Sequence, residues 1–210
     1  MKSIKVLMLC IMLAALACAV QCAELVGYWS FDENQGAVAK NSVASGYDGD
    51  IHGAKWVAGK AGSALEFNGA GDYVEVKDAT SKSPYALTSM SMSAWIKPTV
   101  YPAGAPVFWA GIAGKGYYSE STYGIRLGSD GRVYFKVYGP FGESGKVSSF
   151  DYRGLKDRQV SLNQWHYVVA TYDGSNVKIY LNGRLDSVYK ENRLPEINKQ
   201  SIFIGSTYAK

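Results

Sequence analysis

The sequence predicts an all-β sandwich of two antiparallel sheets behind an export segment. Three observations support this: short runs of alternating residues bounded by turn residues, a composition with 23 Gly, 16 Tyr and 6 Pro, and almost no helical periodicity. Aromatic and β-branched side chains fit pleated, half-buried surfaces, and glycine supplies the turns between them.

The chain opens with Lys2 and Lys5, an apolar run from Val6 to Val20, and a return of polarity at Gln21. That order matches a signal peptide over residues 1–23, cleaved after Ala23 or Ala19. The run is shorter than the roughly 20 apolar residues of a membrane anchor. A lipoprotein reading at Cys18 is the weaker alternative, because the position three residues upstream, usually a larger aliphatic, is Ala15. The product is therefore expected to be secreted, periplasmic or at the cell surface. Cys10, Cys18 and Cys22 all fall in this segment, so the domain over 24–210, about 187 residues, has no disulfide and must be held by core burial or bound metal. Loss of Lys2 and Lys5 leaves 20 basic against 18 acidic residues, a net charge of +2 that points to no nucleic-acid partner.

Along the domain, Leu25 to Phe31, Ala64 to Phe67, Tyr73 to Val76, Met90 to Ile96, Tyr123 to Leu127 and Arg132 to Tyr138 read as strands. Ser129-Asp130-Gly131 closes a hairpin between the last two, where Val133, Phe135 and Val137 alternate with Arg132, Tyr134 and Lys136 as buried and wet faces. The clearest pair starts at Gln164: Trp165 to Tyr172 alternates, Asp173 to Asn176 turns, and Val177 to Leu181 returns. Asn182-Gly183 tolerates two positive φ angles, so Leu185 to Tyr189 should pair back on the same sheet. Pro98 to Val160 is the least regular stretch and reads as long loops around two central strand pairs.

Four pieces in order carry a family resemblance: Gly27 to Glu33, Gly59 to Gly69 with Asp72 to Val76, Met92 to Pro98, and Gln164 to Val168 leading to Ile179 to Gly183. Together they resemble laminin G-like domains of the concanavalin A-like lectin/glucanase superfamily in bacterial exported proteins, from about Leu25 to Ser206. The resemblance implies a jelly-roll sandwich. Members usually continue past a segment like Ile204-Gly205-Ser206 for one more strand, whereas this chain stops at Lys210. The N-terminal strand is then expected to lack its neighbour and to offer an open edge for self-association. The resemblance also implies a structural calcium. Asp32, Glu33 and Asn34 with the loop from Asn41 to Asp48 gather the oxygens a hard cation needs, and the ligands are placed on Asp32, Asn41 and Asp48. The same residue types also cap turns.

Trp29, Trp95 and Trp165 lie within predicted strands or their family pattern and read as core or sheet-packing residues. Trp56, Tyr101, Trp109, Tyr117, Tyr118, Phe141 and Tyr152 fall in glycine-rich connections, where an exposed ring can stack on a sugar. Trp109, Tyr117, Tyr118, Phe141 and Tyr152 are the candidate ligand-binding set. Catalytic signatures are missing: there is no Glu-x-Asp-x-x-Glu run, Asp72 and Glu75 point to opposite faces of a strand, and His52 and His166 stand isolated. The expectation is a non-catalytic carbohydrate-binding or adhesion module whose partner is a glycan or cell-surface polysaccharide. The alternatives are a structural or protein-interaction sandwich, and a non-catalytic part of a larger glycan-active enzyme.

Overall fold

The computed structural model describes residues 24–43, 46–78, 84–102, 109–116, 122–138, 149–192, 194–195 and 198–205. The predicted export segment, residues 1–23, lies outside them. Among the described residues there is no helix, and the strands in chain order are β1 (Val38–Ala39), β2 (Gly49–His52), β3 (Lys55–Ala58), β4 (Ser63–Glu66), β5 (Tyr73–Val76), β6 (Met90–Ile96) and β7 (Trp109–Lys115). They continue with β8 (Tyr123–Gly128), β9 (Val133–Tyr138), β10 (Ser149–Arg153), β11 (His166–Tyr172), β12 (Asn176–Leu181), β13 (Arg184–Lys190) and β14 (Ile202–Ile204). An eight-stranded sheet runs β1-β2-β5-β14-β7-β8-β9-β10, a four-stranded sheet runs β13-β12-β11-β6, and β3 and β4 form a separate hairpin. Each pairing is antiparallel. This is the jelly-roll architecture expected.

Alternation places the core. Ile125, Leu127, Val133, Phe135 and Val137 of the large sheet meet Val168, Ala170, Tyr172, Val177 and Ile179 of the small one, all buried. Each such aliphatic contributes about 1.5–3 kcal/mol on burial, enough to stabilise a domain without disulfides. The β11–β12 hairpin forms as the sequence predicts: the Asp173 carboxylate accepts the backbone amides of Ser175 at 2.9 Å and Asn176 at 2.6 Å. Asn182 and Gly183 take φ of 52° and 79° before β13.

Some expectations are corrected. Leu25 to Phe31 forms no strand; Trp29 makes only an isolated bridge to Asn41. Phe31 and Asn34 have positive φ, 57° and 52°, which turns the chain away from an extended path, and the Trp29 indole instead donates to the Tyr47 carbonyl at 3.2 Å. The edge of the large sheet at this end is the two-residue β1. The stretch from Pro98 to Val160 holds β7 and β10 besides the two strands predicted there. β7 reads Trp-Ala-Gly-Ile-Ala-Gly-Lys, whose small residues hide a period of two, and a bulge between Gly111 and Ala113 breaks what remains. Trp95 is not core: Met92, Ala94 and Ile96 take the inward positions of β6, leaving Trp95 49% exposed on the outer face, tilted against Tyr167 at 5.2 Å. Trp165 is partly buried immediately before β11.

β14 returns from the far end of the chain to lie between β5 and β7. Its placement is tied by a fully buried ion pair: Lys115 Nζ sits 2.5 Å from Asp78 Oδ2 and donates to the Gln200 carbonyl at 2.8 Å. Removing one partner of such a pair strands a buried charge, whereas replacing both with apolar groups is often tolerated. Lys115→Met should therefore cost about 3–5 kcal/mol in urea unfolding, and adding Asp78→Leu should return most of it. Unchanged stability of the single variant would show that the pair does not constrain the sheet.

Candidate functional site

Directly paired residues of neighbouring strands project to the same side of a sheet, so register defines the outer face of the large sheet. One row crosses it as Asp50, Glu75, Phe203, Gly114, Gly124 and Lys136. The next runs Gly111, Arg126, Tyr134 and Arg153, and Trp109 stands opposite Gly128. The β7 bulge keeps Trp109, Gly111 and Gly114 all on this side despite their odd and even numbers. Gly114 and Gly124 face each other where a Cβ on Gly114 would fall 2.8 Å from the Tyr123 carbonyl oxygen and 3.0 Å from the Gly124 Cα. Close backbone packing thus requires glycine there, and the absent side chains leave a hollow lined by Gly111, Gly114, Gly124, Arg126, Lys136 and Phe203 among others. Tyr73 meets Phe203 at 5.9 Å on one flank and stacks on His52 at 4.5 Å.

Trp109 forms the other flank. Its ring meets Tyr134 edge-on at 4.5 Å, and the Arg126 guanidinium lies 5.6 Å from its centroid. Tyr134 donates its hydroxyl to Asp130 Oδ2 at 2.8 Å, and Arg132 Nε donates to the same oxygen at 2.6 Å. Burial works to raise the Asp130 carboxyl, but the hydrogen bonds from Tyr134 and Arg132 outweigh it and hold the group below the usual carboxylate range. Burial, with the hydrogen bond to Asp130, pushes Tyr134 up.

Of the predicted ligand-binding set, Trp109 lies on this face, on a strand and not in a loop. Tyr152 is a correction: it sits in β10 opposite Phe135, inward and 7% exposed, with its hydroxyl donating to Glu191 and its ring against Tyr189, so it offers a sugar no face. Tyr117, Tyr118 and Phe141 lie outside the described residues. Trp56 is on β3, its indole donating to the Gly36 carbonyl at 2.9 Å, and Tyr101 donates to the Val160 carbonyl at 2.6 Å. Arg126, Lys136 and Tyr134 lie outside the predicted set; the alternation marks Tyr134 and Lys136 as the wet side of β9, but Tyr134, although on the outward side, is only 6% exposed beside Trp109.

The predicted cation ligands divide. Asn41 and Asp48 come together, Asp48 Oδ1 accepting the Asn41 amide at 2.9 Å and Oδ2 pairing with Lys40 at 2.7 Å. Asn41 Oδ1 accepts the amides of Tyr28 and Val43. These oxygens already have partners, which does not fit a cation ringed by both residues. Asp32 faces elsewhere, accepting the Ser63 amide at 3.1 Å through Oδ1 and lining an open hollow of about 420 Å³ with Asn34 and Ser63. Between the two, Glu33 uses Oε1 for the Lys40 amide at 2.9 Å while its Oε2 is buried without a partner among the described residues.

One arrangement resembles a nucleophile and base. Ser161 Oγ is 3.0 Å from His166 Nε2, and Asn182 Nδ2 is 3.1 Å from Nδ1. Asn182 Oδ1 accepts the Tyr167 amide, so its NH2 group faces the ring and Nδ1 must accept. The ring proton is then on Nε2, which leaves no lone pair to activate the serine. His166 is a buried brace between the start of β11 and the Asn182 turn.

A concanavalin A-like lectin/glucanases superfamily model matches residues 68–210. The chain belongs to this superfamily. No curated protein matches it by sequence. Among solved structures, this superfamily member is similar to domain 4 of AbnA, a GH43 extracellular arabinanase from Geobacillus stearothermophilus, solved with arabinotriose: TM-score 0.60, 20% identity, covering 86% of this chain and 82% of that one. It is also similar to the binding domain of botulinum neurotoxin serotype G, with TM-score 0.52 and 16% identity over 84% of this chain and 43% of that one. These likenesses establish the fold.

Asn41 Nδ2 donates to the Tyr85 hydroxyl at 2.9 Å. Burial pushes that phenol up to about 12, with the Asn41 bond working against it, and burial raises Tyr123, whose hydroxyl donates to the Tyr85 carbonyl, further still. Both residues are 3% exposed. Above pH 10 the unfolded chain loses these protons while the folded one keeps them, so the folded state loses ground as pH rises. Unfolding free energy should fall by about 1.4 kcal/mol per pH unit for each tyrosine from pH 10 towards 12. Urea titrations read beside phenolate absorbance check this, and a flat profile would contradict it.

Proposed function

We propose that this superfamily member is a non-catalytic carbohydrate-binding module that holds its glycan across the outer face of the eight-stranded sheet. The observation carrying this reading is the Trp109 wall with Arg126 against it, beside a glycine floor and the Phe203–Tyr73 flank. Apolar rings stack on the C–H faces of sugars while cationic and hydroxyl groups meet the sugar oxygens. The likeness to an arabinanase domain solved with arabinotriose favours the same class of ligand.

The carboxylates on this face support binding without catalysis. Asp50 and Glu75 are cross-strand neighbours, a juxtaposition that no local motif reveals. Asp50 pairs with Lys77 at 2.7 Å, a hydrogen bond that holds its carboxyl below the usual range, and Glu75 accepts the Ser201 hydroxyl at 2.7 Å. A glycosidase acid needs a carboxyl kept protonated, the opposite direction from Asp50.

A second reading, a protein-interaction or self-associating sandwich, is favoured by the outer face of the small sheet. Trp95, Leu185 and Val188 stand 49%, 47% and 50% exposed there. A structural calcium also belongs to the proposal, with Glu33 and Asp32 as its carboxylates, because the orphaned Glu33 oxygen lacks the partner such a group needs.

On an immobilised glycan array, Trp109→Ala should bind at least about tenfold more weakly than the parent while melting within a few degrees of it. A parent that retains no glycan would overturn the binding reading, and Trp95→Ser, examined by sedimentation, would then test the second one. For the cation, a ligand bound only by the folded state raises the melting temperature. Calcium should do so and Glu33→Gln should abolish the shift, whereas identical melting in calcium and chelator would remove calcium from the reading.

A further inference from the structure

The four-stranded sheet turns its own outer face to solvent, on the side of the sandwich away from the glycan face. Direct partners share a side, so register puts Trp95 beside Tyr167. Leu185, Tyr180, Val169 and Ser93 form the next row, and Val188, Lys178 and Thr171 the one after it. A bulge between Ile179 and Tyr180 brings both Leu185 and Val188 outward, although residues three apart on a regular strand point to opposite sides. Trp95, Leu185 and Val188 are each about half exposed. Aromatic and aliphatic tips thus stand on a face roughly 14 Å wide from β13 to β6.

The strands give this face charge of one sign. β6, β11 and β12 contain no acidic residue. Asp186, the one acid of β13, is the extra residue of the bulge and is turned inward, 7% exposed, with its Oδ2 accepting the Leu155 amide at 2.9 Å. Lys178 and Lys190 stand outward, opposite Val188 and Asn176, and Lys60 Nζ lies 5.5 Å from the Trp95 ring centroid. The β11–β12 turn adds the acid Asp173, occupied by the amides of Ser175 and Asn176 and within the field of Lys178. A second copy set face to face would press cation on cation, which disfavours it. An anionic lipid surface offers the opposite charge, and its headgroup layer takes Trp and Tyr rings at the depth where aliphatic tips leave water.

We propose that the outer face of the four-stranded sheet docks on an anionic phospholipid surface, with Trp95, Leu185 and Val188 entering the headgroup layer while Lys60, Lys178 and Lys190 meet its phosphates. The inference is independent of the glycan reading, because it uses the other sheet. It gives the face of the second reading a lipid occupant in place of a protein.

The test is co-sedimentation of the purified protein with vesicles of phosphatidylcholine alone and of phosphatidylcholine mixed with phosphatidylglycerol. The anionic vesicles should bind at least about tenfold more strongly, and less so as salt is added. Lys178→Gln and Lys190→Gln should each weaken that binding about fivefold, and Trp95→Ser about tenfold. Trp109→Ala, on the opposite sheet, should bind vesicles as the parent does. Val188→Ser, at the exposed edge, takes the place of Trp95→Ser if that variant does not fold. Equal binding to both vesicles, or none, would overturn the inference. So would binding to anionic vesicles that the Trp95 and Val188 variants leave unchanged, the mark of a merely diffuse attraction. Self-association without vesicles that Trp95→Ser abolishes would assign the face to a second copy instead. A protein that docks on the vesicles and retains no glycan on the array would fail the glycan reading alone.

Discussion

The constraint on which the outer face depends is the register of β14, and the buried Lys115–Asp78 pair enforces it. β14 has three residues, so its own ladder is short. Lys115 closes β7, Asp78 follows β5, and the Gln200 carbonyl precedes β14, so one ammonium ties the ends of three adjacent strands. The Gly116 amide bonded to the Ser201 carbonyl and the Ser201 hydroxyl bonded to Glu75 repeat the tie on either side. A slip of one residue would turn Ile202 and Ile204 outward and move Phe203 from its packing against Tyr73 to the inner side, exchanging the two sides of the strand. Charge burial is costly, and here the return is conformational: the cation can reach both oxygens in one register only.

The sandwich was legible because most strands alternate strongly and end in turns with their own chemistry. Val133 to Val137 and the hairpin around Asp173 declare which side is wet. The large sheet was less legible at β7, where glycines and alanines carry no periodic signal and where one pairing partner, β14, lies far away in sequence. The site was harder still. Trp109 stands out in the sequence as an aromatic in a glycine-rich stretch, and composition suggests a loop, whereas the residue opens β7 opposite Gly128. Tyr152 belonged to the same class by composition and points into the core, because opposite Phe135 the inward side of β10 is the only side it can take. Loop composition does not distinguish these two; strand parity does, and parity needs the register.

Parity also explains the two outward-facing tryptophan positions. On β6, inward places go to Met92, Ala94 and Ile96, so Trp95 faces out and lies beside Tyr167, its direct cross-strand partner, with Lys60 5.5 Å from its ring centroid. On β7, the bulge between Gly111 and Ala113 lets Trp109 and Gly114 share a face although they are five residues apart. An unbulged strand would send one of them inward. The irregularity that hid β7 in the sequence is therefore the feature that assembles the outer face.

The geometry of Trp109 leads back to a turn that the sequence does announce. Ser129-Asp130-Gly131 reads as a hairpin closure, and Asp130 fills a second part from that position: its Oδ2 takes the Tyr134 hydroxyl and the Arg132 guanidinium together. Gln159 holds the Asp130 carbonyl at 2.7 Å, and the Val160 amide holds the Gly131 carbonyl at 2.7 Å, so the turn is fixed from the side of the chain that leads to β11. With its hydroxyl anchored, Tyr134 presents one edge to Trp109, and Trp109 in turn limits where Arg126 can lie. A carboxylate held in its ionised form thus positions an aromatic wall and a cation without touching the proposed glycan itself. Rigid support of this kind lowers the ordering cost of binding, which matters most at a shallow surface where few atoms of the ligand are enclosed.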